Sequence, residues 1–117
     1  MKTISRIGLA LVLSAAAVGA ASAHAKLTKA DPAVNGTAGP TNMVHLTFSE
    51  EISGKLSGAE VTDAKGVVVQ TTPSVDGKLL MLMAKTPLSP GKYDVTWHAV
   101  ASDDGHRTEG KYSFAVK

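Results

Sequence analysis

From residue 25 onward the chain repeats one pattern. Short runs alternate apolar and polar residues, and clusters of glycine, proline, asparagine and aspartate separate them. Residues 43–48 set Val44, Leu46 and Phe48 on one face and Met43, His45 and Thr47 on the other. Residues 92–101 do the same over a longer run, with Tyr93, Val95, Trp97 and Ala99 opposite Asp94, Thr96, His98 and Val100. Residues 110–116 follow with Tyr112, Phe114 and Val116 on one face. A period of two is the strand period, because successive side chains of an extended backbone point to opposite sides. Residues 25–30 read as a first strand, ended by Asp31-Pro32, since proline donates no ladder hydrogen bond. Residues 59–63 and 67–72 read as strands joined by the turn Asp63-Ala64-Lys65-Gly66, and residues 78–83 as a short buried strand after a turn at 73–77. Residues 33–41, 49–58 and 86–91 read as loops. No helical period interrupts this series. Seven short strands predict an all-β fold: an antiparallel sandwich or barrel of immunoglobulin-like type, with a cupredoxin-like topology as the variant within that class.

The first 23 residues break the pattern. A basic opening containing Lys2 and Arg6 precedes an almost unbroken apolar run, and Ala21-Ser22-Ala23 closes it. This is the three-part layout of a secretory signal peptide, so residues 1–23 are expected to be removed and residues 24–117 to form one domain. The run is too short for a transmembrane helix, which needs about 20 apolar residues. Of the twelve Lys and Arg, Lys2 and Arg6 leave with the leader, and the remaining ten balance the ten Asp and Glu. A near-neutral domain without a basic patch argues against nucleic acid and against an anionic membrane surface as partners. An exported chain with no cysteine must be stabilised by packing. The commonest zinc and Cu(I) ligands are missing with the thiols.

Two places far apart in sequence carry the candidate chemistry. One is Ser102-Asp103-Asp104-Gly105-His106-Arg107-Thr108-Glu109-Gly110, in the connection between the last two strands. Asp104 and His106 flank a glycine that permits a sharp bend, so a carboxylate and an imidazole can reach one ion. The other is His24, the first residue after the expected cleavage, which adds an α-amine and a ring nitrogen. Three nitrogens and one oxygen suit a tetragonal Cu(II) ion, whereas Ca²⁺ and Mg²⁺ need more oxygen ligands. The plain alternative for Asp104-Gly105-His106 is an ordinary polar turn. The Asp-x-His spacing favours Asp104 over Asp103 as the ligand. Arg107 and Glu109 read as surface charge, with hydrogen bonds to the ligands as the alternative; His98 reads as a satisfied or half-exposed polar residue, with orientation of a ligand as the alternative; and His45 reads as a polar position on a sheet face. Met81 and Met83 share a strand face, but two thioethers without a third ligand make a poor Cu(I) site, so they are assigned to core or sheet packing.

Taken together, His24 after the cleavage site, Phe48-Ser49-Glu50, Pro87-Leu88-Ser89-Pro90-Gly91-Lys92-Tyr93, Val95-Thr96-Trp97 and Ser102-Asp103-Asp104-Gly105-His106 resemble the CopC/PcoC family of periplasmic copper-binding proteins. The resemblance spans the whole of residues 24–117. It implies a seven-stranded Greek-key sandwich and one Cu(II) per chain, held by His24 through amine and ring together with Asp104 and His106. It implies a periplasmic, non-enzymatic role in copper resistance and homeostasis, as carrier or buffer, with an inner-membrane transporter of CopD type as a candidate partner and a monomer as the expected state. Family members with a second, Cu(I) site hold it in a methionine-rich loop. The corresponding stretch here, roughly residues 49–66, has no methionine and no histidine, which implies the Cu(II)-only type. Two rival readings are a copper oxidase resembling lytic polysaccharide monooxygenases, which also use an N-terminal His, and a metal-free immunoglobulin-like interaction module.

Overall fold

A computed structural model describes residues 24–117. The expected leader, residues 1–23, lies outside the described residues. The described chain is all β, with strands β1 (Leu27–Asp31), β2 (Thr37–Ala38), β3 (Met43–Phe48), β4 (Gly58–Asp63), β5 (Val68–Val69), β6 (Thr71–Asp76), β7 (Leu79–Ala84), β8 (Gly91–Val100) and β9 (Arg107–Val116). They form two sheets, one of order β1-β3-β7-β6 and one of order β2-β9-β8-β4-β5. Alternation fills the space between them. Val44, Leu46 and Phe48 of β3, Leu80 and Leu82 of β7, Val95 and Trp97 of β8, and Tyr112 and Phe114 of β9 are all buried in one core. Leu46 and Leu80 are fully buried, and a side chain of that size contributes about 1.5–3 kcal/mol when removed from water. No polar or charged residue among those described is buried, so the sandwich holds through apolar packing. No helix among the described residues is long and apolar enough to cross a membrane.

Nine strands replace the seven expected, for two physical reasons. The run 67–72 is not one strand. Val68–Val69 pairs with β4, and after Gln70 the chain crosses to the other sheet, where Thr71 pairs with Ala84. The turn expected at 73–77 is instead the body of β6, with Pro73 opposite Leu82. A proline is tolerated there because β6 is the outer strand of its sheet; the turn falls at Gly77, whose φ is +61°. The second addition is β2, inside the loop read over 33–41. It runs parallel to the end of β9, Thr37 beside Ala115 and Ala38 beside Val116, so the sandwich is not wholly antiparallel.

One close approach shapes the end of the molecule where β8 and β9 meet. Trp97 pairs across the ladder with Gly110. A Cβ at Gly110 would stand 2.6 Å from Trp97 Cζ2, so the indole lies on bare backbone. On its other side Trp97 meets Phe48 edge to face at 5.1 Å between ring centroids, joining the two sheets.

Candidate metal centre

β8 and β9 form a hairpin whose turn carries the Asp-x-His motif. The Ala101 N–H donates to the His106 carbonyl and the Gly105 N–H to the Ala101 carbonyl, both at 3.0 Å. Gly105 takes φ +73°, a conformation glycine adopts without Cβ strain, and it turns the chain back into β9. The turn is tighter than the connection 102–109 expected from sequence, since β9 already starts at Arg107.

The stretch 49–58, read as a loop, braces this hairpin. Ile52 is buried and bridges Ala101. The Ser53 N–H donates to the Val100 carbonyl at 2.8 Å, and the Ser102 N–H to the Glu51 carbonyl at 3.0 Å. The Val100 N–H donates to the Ser57 hydroxyl at 2.9 Å. Val100, assigned by alternation to the outer face, is therefore covered and buried.

Asp104 and His106 are tied within the turn. The His106 backbone N–H donates to Asp104 Oδ1 at 3.0 Å, and His106 Nδ1 lies 3.1 Å from Asp104 Oδ2. A carboxylate can only accept, so Nδ1 carries the proton and the neutral ring keeps its lone pair on Nε2. The same backbone N–H, with the imidazole beside it, holds the Asp104 carboxyl below the usual aspartate value. Asp103 has other surroundings: it borders a surface hollow shared with Ser49, Glu50, Glu51 and Lys78.

His24 reaches the same place from the other end of the chain. Its ring lies edge-on to that of His106, with centroids 4.9 Å apart. Hydrogen bonds hold the segment there, among them that of the Ser49 N–H to the Lys26 carbonyl at 2.8 Å. The Thr108 hydroxyl donates to the Ala25 carbonyl at 2.7 Å across 83 residues of sequence. Ser49 accepts from the Lys26 N–H at 2.9 Å and donates to the His24 carbonyl at 3.4 Å. Ala25 itself is fully buried, so the segment is anchored by packing and by hydrogen bonds while His24 stays exposed. Sequence reading missed Thr108 and Ser49. Both lie inside motifs it singled out, but only the pairing of chain ends shows what they hold.

The other residues weighed from sequence lie elsewhere or are engaged. Arg107 pairs with Glu109 at 3.3 Å, both well exposed, as expected of surface charge. The His98 ring lies against Gly58 of β4, 3.3 Å from where a Cβ would stand. His45 is on the outer face of the four-stranded sheet. Among the described residues no three His, Asp or Glu side chains converge on one point. The side chains supply two facing imidazoles and one carboxylate bound to the second imidazole. The fourth donor of the expected set, the α-amine, is a backbone group.

Comparison with known proteins agrees with this fold. A family model described as the CopC domain matches residues 27–117. Copper resistance protein C of Xanthomonas campestris pv. juglandis is 37% identical over 122 residues, covering 95% of each chain. Protein YobA of Escherichia coli K12 is 39% identical over 118 residues, covering 96% of this chain and 94% of that one. The crystal structure of PcoC, a methionine-rich copper resistance protein from Escherichia coli, superposes with a TM-score of 0.74 at 32% identity, covering 81% of this chain and all of PcoC. CopC from Methylosinus trichosporium OB3b gives a TM-score of 0.73 at 30% identity, covering 80% of this chain and 94% of that one. With a domain model spanning nearly the whole described chain and relatives well above 30% identity over almost their full length, this chain belongs to the CopC family.

Proposed function

We propose that the chain is an exported, periplasmic Cu(II)-binding protein of copper resistance and homeostasis, a carrier or buffer and not an enzyme. The observation that carries this reading is the meeting of His24 with the Asp104–His106 turn, with ring centroids 4.9 Å apart. Nitrogen and oxygen donors of this kind favour copper above the other divalent first-row metals. The names of the relatives as copper resistance proteins support the same metal.

In this reading cleavage before His24 frees its amine, and amine and ring together chelate one Cu(II). His106 offers Nε2, the nitrogen that its bond to Asp104 leaves open. A carboxylate has about four lone-pair positions. Two of them on Asp104 accept from His106, which leaves others for the metal. An ion on Nε2 lies on the far side of the ring from Nδ1, so in this reading Asp104 orients the imidazole before the ion arrives and gives up its bond to Nδ1 to become the oxygen donor. With the donors filling the copper plane, the site stores or passes the ion without activating oxygen. A membrane transporter of CopD type is the recipient this reading names.

Titration of the processed chain with Cu(II), read by electron paramagnetic resonance, tests it. One equivalent with about three nitrogens in the coupling pattern is the expected result. A spectrum unchanged by His106→Ala would remove this site from the reading.

A further inference from the structure

The outer face of the four-stranded sheet carries a second set of metal-binding groups. In the ladder between β3 and β7, Met43 stands opposite Met83 and His45 opposite Met81. Their inward neighbours Val44, Leu46, Leu80 and Leu82 are buried, so these four side chains emerge on the outside of the sheet. Met83 is half exposed, and Met43, His45 and Met81 are partly so. Met81 and Met83 thus lie on the sheet face and not in the core, and the register sets beside them the further donors that the sequence alone left missing.

Directly opposed residues in an antiparallel pair have Cβ atoms about 4.5–5.5 Å apart, and diagonal neighbours about 7–8 Å apart. A methionine side chain is long and flexible enough to close those gaps. Three thioethers and one imidazole can therefore gather over a single point. Surface hollows lie on both sides of His45. One of about 440 Å³ is bordered by Met43, His45 and Asp31, and one of about 160 Å³ by Lys29, Asp31, His45 and Thr47. An ion has access to the imidazole without any movement of the strands.

We propose that Met43, His45, Met81 and Met83 form a second site, for a soft monovalent ion of the Cu(I) class, on the outer face of the β3–β7 ladder. Thioether sulfur selects Cu(I) over Cu(II) and over hard cations. The site shares no residue with His24, Asp104 and His106 and lies outside the stretch 49–66. It revises the expectation of a Cu(II)-only chain. It does not depend on the Cu(II) reading, and either can fail alone.

The probe is Cu(I), added anaerobically against a Cu(I) chelator, with Ag(I) as a diamagnetic stand-in for NMR. One equivalent of Ag(I) should shift the ε-methyl signals of Met43, Met81 and Met83 and the ring signals of His45. The double variant Met81→Leu/Met83→Leu changes only outward-facing side chains of similar size. It should keep its circular dichroism and its Cu(II) spectrum while losing about tenfold or more in Cu(I) affinity. Methyl signals that stay in place while the His24 and His106 rings shift would overturn the proposal. So would a double variant that holds Cu(I) as tightly as the parent. The NMR arm needs no variant and so decides the question even if the substitutions disturb folding.

Discussion

The hairpin end and the outer face of the β3–β7 ladder are built in opposite ways. At the hairpin end the candidate donors come from His24 and from the six-residue connection 101–106, brought together by Thr108, Ser49 and the buried Ala25. On the sheet face they come from one ladder whose register is fixed by burial of the residues between them. The first set is nitrogen and oxygen; the second is mostly sulfur. If both proposals hold, the contrast is between two routes to a metal site on one sandwich. One depends on processing and on a few hydrogen bonds, the other on strand register alone.

The largest difference should appear when the amine is blocked. In a chain processed before His24 as proposed, one extra residue there turns the amine into an amide, a far weaker donor at neutral pH. Calorimetry with chelator competition should show Cu(II) affinity falling by orders of magnitude, with the sandwich still folded and Cu(I) binding on the sheet face unchanged. Equal Cu(II) affinity in both forms would remove the amine from the site.

Acid should separate the two regions next. At the hairpin end the α-amine and two imidazoles must lose protons before they ligate, whereas the sheet face has one such group, His45. Below the ordinary imidazole range, near pH 6.5, log affinity for Cu(II) should therefore fall with up to about three times the slope found for Cu(I). Asp104 adds nothing to that loss in the mild acid range. Its folded value is depressed, so its contribution is present above the ordinary aspartate value and is lost only as pH falls through the lower one. Competition titrations between pH 4.5 and 7 would read both slopes, and parallel slopes would mean that the ligands are misassigned.

The core beneath both regions holds one group that responds to alkali. Burial, with the charge of Asp31, pushes the Tyr112 hydroxyl up to about 12, and its oxygen is buried without a hydrogen-bond partner. The folded state thus holds this proton more tightly than the unfolded one. The stability involved is fully present below the unfolded value near 10 and is lost as pH rises towards 12. Tyr112→Phe should flatten that part of the denaturation profile. It should cost little at neutral pH, since the hydroxyl it removes is unpaired.

Gly110→Ala sets a Cβ against the indole of Trp97, and overpacking of this kind costs about 1–3 kcal/mol. Its melting temperature should fall. Cu(II) affinity should weaken more than Cu(I) affinity, because Gly110 lies on β9, two residues beyond Thr108, and not on the β3–β7 ladder. The smallest effect belongs to the contacts that hold the terminus. Thr108→Ala or Ser49→Ala removes hydrogen bonds worth about 0.5–1.5 kcal/mol each, and should weaken Cu(II) binding by about tenfold or less with Cu(I) binding untouched. Asp103→Asn is the control for both, and Asp104→Asn should exceed it clearly.

The sequence by itself determined the strand class, the faces of the long strands, and the candidate chemistry of a terminal histidine with a late Asp-x-His. These are local properties: alternation is set by backbone geometry, and donor types by residue identity. It also marked Gly105 as the bend, because no other residue takes a positive φ so freely. Only the tertiary structure decided the rest. It split the run 67–72 between two sheets, admitted Pro73 into an edge strand and added β2 in parallel to β9, since pairing partners depend on which sheet needs an edge. It brought His24 against His106, and it set Met43 and His45 opposite Met83 and Met81. Register is a relation between strands far apart in the chain, and no local pattern encodes it. That is why two methionines that look incomplete in the sequence acquire neighbours in the fold.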